Sequence, residues 1–119
     1  MNQAPVDDAQ LGPEDLKIIT LARSARARLG SAEGAAVRDD TGRTYAAVNV
    51  ILPSLRLSAL VVAVAMAASS GATALEAAAL VSEDTGPAPA DVRAIRDLGA
   101  DALIIHATPG GNVRQVARP

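Results

Sequence analysis

The chain has 119 residues, a formal net charge of −2 and 20% charged residues, which is typical of a single globular domain. The weak acidity argues against a strongly basic nucleic-acid-binding protein. No cysteine is present, which excludes disulfides, thiolate metal sites and thiol nucleophiles. Tyr45 is the only aromatic residue, so small and branched aliphatic side chains must form the core.

The N-terminal residues predict a flexible tail, residues 1–12, ahead of one domain, residues 13–119. The tail lacks the basic and apolar regions of a signal peptide, so we expect a cytoplasmic protein. Lys17 is the only lysine among 11 basic residues, and this bias toward Arg, with abundant Ala, suggests a GC-rich bacterial genome. Residues 59–68 are uniformly apolar but too few to cross a bilayer, so they predict a buried helix and no membrane association.

The first predicted element is a helix that begins at Pro13 and ends at Gly30. Proline suits the first helical turn, and the carboxylates of Glu14 and Asp15 complement the helix dipole there. Apolar residues recur at helical spacing up to Leu29, and glycine is a common residue at a helix C-terminus.

The rest of the chain alternates β-prone runs with helical ones. The predicted elements are strands 34–38 and 44–50 joined by a turn at 39–43, a loop at 51–56, a helix at 57–70, a strand at 75–82, a loop at 83–88, a helix at 89–98, a strand at 102–107 and an edge strand at 112–117. This order predicts an α/β fold: a three-layer α/β/α sandwich around a five-stranded mixed sheet, whose later part is largely parallel.

Three segments, in this order and spacing, resemble the cytidine deaminase family. Residues 33–37 read EGAAV, residues 45–50 read YAAVNV and residues 53–57 read PSLRL. The family has V-G-A-A, a strand ending in C-N-V-E-N, and A-S-Y-G-L at these places. The similarity continues from residue 13 to residue 116, through a strand ending in Ser-Asp, and implies the cytidine-deaminase-like fold.

The same resemblance places the family's catalytic motifs on this chain. A Cys or His and a Glu would open the central helix, at Leu60 and Val62, and P-C-x-x-C would put two zinc ligands at Ala88 and Asp91. In that family three side chains hold zinc, the metal activates water, and the Glu moves protons. With these four residues, the resemblance implies no zinc, no other cofactor and no catalytic residue.

Asn49 is the one candidate for ligand binding. In the family the Asn and Glu of N-V-E hold the ribose, and here Asn49 remains while Ile51 replaces the Glu. The family's Phe before V-G-A-A has no counterpart in Ser31-Ala32. A strand-end cap therefore competes with ribose binding as the role of Asn49.

Several other polar residues are candidates for sites, and each also has a simpler structural interpretation. They are the arginines Arg23, Arg26 and Arg28 as a solvated face, the turn Pro109-Gly110-Gly111-Asn112, His106 as a packed or surface imidazole, the turn carboxylates Asp39-Asp40 and Glu83-Asp84, and Ser54, Ser69 and Ser70 without a base.

The sequence is compatible with three functions. The first is a catalytically inactive cytidine-deaminase-like protein that acts as a structural or protein-interaction module. The second is a nucleoside- or nucleotide-binding protein with a reduced pocket, and the third is an enzyme with new chemistry. Because residues 59–68 carry no charge on any side, we also expect a homotetramer, or otherwise a homodimer, built on this helix, with room for an unidentified protein partner.

Overall fold

The computed structural model describes residues 4–5, 11–83 and 85–119 of the chain. The elements are β1 (Ala4–Pro5), α1 (Pro13–Leu29), β2 (Gly34–Asp39), β3 (Thr44–Val48), β4 (Val50–Leu52), β5 (Leu55–Leu57), α2 (Ala59–Ser69), β6 (Leu75–Val81), α3 (Pro89–Leu98), β7 (Leu103–Ala107) and β8 (Val113–Arg118).

The main sheet has the strand order β1-β8-β7-β6-β2-β3. Five strands of ordinary length form it, as the sequence predicts, and the two-residue strand β1 extends it beside β8. The pairs β2–β3, β2–β6 and β7–β8 are antiparallel, whereas β6–β7 is parallel. The sheet is therefore mixed.

The later αβαβ part of the sheet is parallel as predicted, because its two strands, β6 and β7, pair in parallel. The turn between β7 and β8 is too short for a crossover, so β8 returns antiparallel. One correction concerns the predicted edge strand: β8 is not the outermost strand, because Ala117 and Arg118 pair with β1. The predicted tail, residues 1–12, otherwise lies outside the described residues, apart from Leu11 and Gly12.

Helices cover both faces of the sheet and complete three layers. On one face, α1 packs with Ile18 and Ile19 against alanines of β2 and β6. On the other face, α2 and α3 form a second core around Leu60 and Ile95. Each core buries apolar side chains of the sheet between strand and helix, which stabilises the fold by removing hydrocarbon from water.

Two features fix α1 on the sheet: close packing against β2 and a network of ion pairs. A Cβ on Gly34 would lie 2.1 Å from the carbonyl oxygen of Ala22, so only glycine lets β2 approach the helix this closely. Arg38 Nη1 contacts Asp15 Oδ1 at 2.9 Å, and Arg38 Nε contacts Glu76 Oε1 at 3.2 Å. Although burial by itself lowers the pKa of Arg38, its two carboxylate partners raise that pKa overall.

The largest departure from the sequence prediction lies just before α2. Residues 51–56, predicted as a loop, belong to a small β-hairpin in which Ile51 pairs with Arg56 and Leu52 with Leu55. We call this hairpin, residues 50–57, the arm. It is a separate two-stranded sheet, and its strands pack mainly against each other.

Candidate functional site

An open cleft of about 590 Å³ lies where the ends of α1, β3 and β6 meet. Its lining residues are Arg26, Gly30, Ser31, Ala32, Glu33, Asn49, Ser82, Glu83 and Thr85. The volume lies within the range of small-molecule sites. The cleft also opens beyond the carboxyl end of β6, which is where α/β sheets commonly bind ligands.

Asn49 lines this cleft and also joins two parts of the backbone. Its Oδ1 atom accepts a hydrogen bond from the backbone N–H of Glu33 at 3.0 Å. This hydrogen bond is what the interpretation of Asn49 as a strand-end cap requires. Through it, Asn49 holds the segment before β2 against the end of β3. Ser31 and Ala32, which stand at the place of the family's Phe, line the same cleft.

Glu33 links the cleft to the start of α2, a role that the sequence analysis missed. Its Oε1 atom accepts a hydrogen bond from the backbone N–H of Ala59 at 3.1 Å. A carboxylate there satisfies a helical N–H and complements the positive end of the helix dipole. No local pattern marks Glu33, because its partner lies 26 residues further along the chain.

Ser58 and Asp91 join the N-termini of α2 and α3. Ser58 caps α2 by accepting the Val61 N–H at 3.2 Å, and its hydroxyl donates to Asp91 Oδ1 at 2.5 Å. The other oxygen of Asp91 accepts the Ala88 N–H at the start of α3, at 2.9 Å. Asp91 is buried, and its carboxylate is therefore occupied by donors from two helices.

The other three positions to which the resemblance assigns zinc chemistry carry aliphatic side chains. Leu60 is 0% exposed within the core of α2 and α3, and the partly buried Val62 packs against the same core. Ala88 is exposed at the N-cap of α3. None of these three side chains has an atom that can bind a metal or transfer a proton.

His106 lies in a buried pair with Ser82. The distance from His106 Nε2 to Ser82 Oγ is 2.9 Å, and Ser82 Oγ donates to the Thr85 carbonyl at 2.7 Å. A hydroxyl has one proton, so the network assigns the shared proton to His106 Nε2, with Ser82 as its acceptor. The imidazole does not activate Ser82 as a nucleophile in this arrangement, and its burial lowers the pKa of His106.

The remaining candidates have structural contacts. Asp39 Oδ1 accepts from the N–H groups of Thr41 and Arg43, and Tyr45 donates to its Oδ2, which holds the β2–β3 turn. The Thr41 hydroxyl bond is the main reason that the pKa of Asp39 is lowered, and the Tyr45 bond adds to it. Arg23 donates to the Pro109 carbonyl at 3.0 Å, so this arginine braces the glycine-rich turn.

The other polar residues lie mainly at the surface. Arg26 donates to the Ala32 carbonyl at 3.1 Å and lies 3.6 Å from the exposed carboxylate of Glu83. Arg28 and the hydroxyl residues Ser54, Ser69 and Ser70 are exposed. Asp84 lies outside the described residues.

A family model described as cytidine deaminase-like matches residues 11–111. The chain belongs to this family. No curated protein sequence matches the chain significantly.

Solved structures of cytidine deaminases share this fold. The enzyme from Burkholderia pseudomallei has a TM-score of 0.74 and 24% identity, covering 85% of this chain and 90% of its own. For Mycobacterium leprae the values are 0.64 and 22%, with 83% and 90% covered. For Mycobacterium tuberculosis they are 0.64 and 25%, with 83% and 87% covered. At this level of sequence identity, the structural similarity shows that the chains share a fold.

The donor atoms of this cytidine deaminase-like chain do not fit a catalytic zinc ion. Such a site needs about three protein ligands and one open position. Asp91 is the only one of the assigned ligand positions with a donor atom, and both of its oxygens already accept hydrogen bonds. Across residues 4–5, 11–83 and 85–119, no group of three or more His, Asp or Glu side chains could hold a metal ion.

No helix within the described residues is long and apolar enough to cross a bilayer. The apolar run of α2 is instead an 11-residue helix with five buried residues.

Proposed function

We propose that this cytidine deaminase-like protein carries out no deamination and acts in the cytoplasm as a structural or protein-interaction module. One observation carries the proposal. The positions to which the resemblance assigns the zinc ligands and the proton-transferring Glu hold Leu60, Val62, Ala88 and Asp91. Two of these side chains pack into the core, one is a methyl group, and the fourth bonds to helix termini.

The aliphatic replacements also make the fold independent of a metal. At the fully buried position of Leu60, a ligand side chain without its ion would be unpaired, at a cost of a few kcal/mol. Leu60 and Val62 contribute apolar packing there instead, and Ser58 with Asp91 holds the two helix N-termini together. A scaffold that needs no metal suits a structural role.

Elemental analysis and an ammonia-release assay with cytidine test this proposal. We expect far less than one zinc per chain and no ammonia above the rate without protein. The matched control restores all four positions by Leu60→Cys, Val62→Glu, Ala88→Cys and Asp91→Cys, and we expect it to bind about one zinc. Stoichiometric zinc in the wild type, or metal-dependent ammonia release, would overturn the proposal. A folded control that binds no zinc would contradict the assignment of these four positions.

We further propose that the module associates with itself, as a homotetramer or otherwise a homodimer. Support comes from α2, which carries no charged residue and leaves Ala65, Met66 and Ala68 exposed. Light scattering at micromolar concentration should give about 48 kDa for four chains, or about 24 kDa for two, given a chain mass of 12.0 kDa. A mass near that of one chain contradicts self-association.

A second candidate function is the binding of a nucleoside or nucleotide without deamination. The cleft favours it, because Asn49 and Arg26 lie together in a polar cavity of suitable volume. A thermal-shift screen with nucleosides and nucleotides tests it, since a ligand at 100 times its Kd adds about 2.7 kcal/mol to the stability of the folded state. Inorganic phosphate and free ribose are the controls, and no shift with any nucleoside or nucleotide would exclude this candidate.

A further inference from the structure

We infer that Arg26 forms an anion-binding subsite in the cleft, which takes a small molecule carrying a phosphate monoester. This inference rests on the second candidate function above and names the chemical group that the ligand presents. Arg26 lies at the wall of the cleft formed by α1, whereas the contact that the resemblance implies for ribose is assigned to Asn49. The subsite is thus an addition to the positions that the resemblance supplies.

The guanidinium group of Arg26 is already fixed in place beside the cleft. Arg26 lies in the last turn of α1, and its side chain is only 22% exposed. Its Nε atom donates to the carbonyl oxygen of Ala32 at 3.1 Å, and both residues line the cleft. A long side chain that moves freely loses rotamer freedom when it binds a ligand. Because the bond to Ala32 restricts Arg26 beforehand, less of that entropy is lost on binding.

The charge of Arg26 has no close carboxylate partner within the described residues. Its Nη2 atom lies 3.6 Å from Glu83 Oε1, and the Glu83 side chain is 71% exposed. A strong charge-assisted hydrogen bond would be about 2.7–2.9 Å long, as between Arg38 and Asp15 at 2.9 Å. An exposed and long ion pair contributes little to stability. The pair with Glu83 therefore leaves Arg26 available to a stronger anion.

The donors of Arg26 suit a phosphate monoester. A guanidinium group presents its N–H donors in a planar fork that matches two oxygens of a phosphate. With Nε bonded to Ala32, the two terminal amino groups remain for that purpose. The cleft of about 590 Å³ is much larger than a phosphate ion needs, so it has room for the rest of the ligand. Asn49 bonds through its oxygen, which leaves its amide N–H groups for polar atoms of that remainder.

The two carboxylates that line the cleft are compatible with such a subsite. Glu33 Oε1 accepts the Ala59 N–H at 3.1 Å, and the positive end of α2 offsets its charge. Glu83 is exposed on the loop after β6, so its side chain can turn into solvent when a phosphate replaces it. Because Glu83 competes with the ligand for Arg26, removing its charge should strengthen binding.

Calorimetric titration with matched pairs of ligands tests the inference. The probes are ribose 5-phosphate with ribose, and cytidine 5′-monophosphate with cytidine, at low ionic strength where screening is weak. The phosphorylated probe that binds better should bind at least about ten-fold more tightly than its unphosphorylated parent. Inorganic phosphate should bind more weakly than this probe, because it fills little of the cleft.

Charge-removing variants locate the subsite. Arg26→Gln should weaken binding of the phosphorylated probe about ten-fold, with no change for the unphosphorylated parent. Arg28→Gln removes the same charge from an exposed position of α1 outside the cleft and should leave both affinities unchanged. Glu83→Gln should strengthen binding of the phosphorylated probe about two-fold or more. Glu14→Gln, at the exposed start of α1, is its control and should have no effect.

The outcomes separate the subsite from the second candidate function. Equal affinities for a phosphorylated probe and its parent, or unchanged phosphate binding in a folded Arg26→Gln protein, would overturn the subsite alone. If circular dichroism shows that Arg26→Gln does not fold, Glu83→Gln decides, and binding no tighter than that of the wild type would contradict the subsite. A wild type that binds none of the probes would overturn both the subsite and nucleoside or nucleotide binding.

Discussion

At the scale of single residues, Asp91 shows how one side chain can serve two helices. Its oxygens accept from Ser58 on α2 and from the Ala88 N–H on α3. The resemblance identifies Asp91 with a zinc-ligand position, and sequence alone left it there as an isolated weak donor. Its hydrogen bonds depend on how the two helices meet, which no local pattern in the sequence specifies.

Removing either partner should weaken the fold. We expect Asp91→Ala to lower the free energy of unfolding by about 1–3 kcal/mol, because it leaves buried donors unpaired. Ser58→Ala should cost about 1 kcal/mol through the lost helix cap. In urea unfolding, the double variant should cost less than the two single effects added together, by at least about 0.5 kcal/mol. Asp97→Ala, at an exposed position of the same helix, is the control, and strict additivity would contradict the link.

His106 should make stability depend on pH. Burial lowers its pKa below the ordinary 6.5, so the unfolded chain takes up a proton before the folded one does. The free energy of unfolding is therefore highest above pH 6.5 and should fall as the pH decreases from about 7.5 to 5. It is the only histidine, so His106→Gln should flatten the urea midpoints over this range. An equal slope in both proteins would exclude this origin.

The Ser82–His106 pair also marks a limit of the sequence analysis. Sequence showed an isolated histidine near the end of an apolar strand, whereas the structure buries it beside a serine 24 residues away. The contact arises because β6 and β7 lie side by side, with Leu80 opposite His106. Strand register sets such a contact, and a single sequence predicts strands far better than their register.

At the scale of elements, the cost of adding a charge to α2 should depend on whether the position faces the core or the solvent. Val62→Glu places a carboxylate against the core and should lower the free energy of unfolding by about 1–3 kcal/mol. Ser69→Glu adds the same charge at an exposed position of the same helix and should cost less than about 0.5 kcal/mol. The denaturant midpoints of the two variants are compared. Equal midpoints would mean that position 62 tolerates a carboxylate as well as an exposed position does.

The close packing of α1 on β2 at Gly34 can be tested by adding a methyl group to this glycine. A Cβ at Gly34 would lie 2.1 Å from the Ala22 carbonyl oxygen, so Gly34→Ala must push the helix away from the sheet. We expect a loss of about 1–3 kcal/mol in the free energy of unfolding. Gly110→Ala is the matched control, because the nearest atom there would be 3.7 Å away. A neutral Gly34→Ala would show that α1 shifts without cost.

The long elements were predictable, whereas the arm was not. The helices α1 and α3 and the five longer strands of the main sheet have caps, apolar periodicity or turn residues that mark them, whereas β1 lies in the segment predicted as a tail. The arm consists of two three-residue strands around Pro53 and Ser54, too short to show a strand period. The proline and serine that predicted a loop in fact form the turn of a hairpin.

At the scale of the whole molecule, the proposed association should appear as stability that depends on protein concentration. An oligomer that forms only from folded chains favours the folded state by mass action. We expect the Tm of the wild type to rise by a few degrees between about 1 and 100 µM, measured by differential scanning fluorimetry. A wild-type Tm that is constant over this range would contradict the coupling.

The alanines of the central strand β6 limit which substitutions the protein can accept during evolution. Ala77, Ala78 and Ala79 are completely buried there, and on β2 the buried Ala36 pairs with Ala79 and the buried Ala35 with Leu80. Helices on both faces pack close to this stretch of β2 and β6, where five of the six side chains in residues 35–37 and 77–79 are single methyl groups. Little volume can be deleted at these positions, whereas any enlargement pushes a layer outward. Natural variants should therefore keep alanine or glycine at these positions and diversify instead in the larger side chains of the surrounding helices.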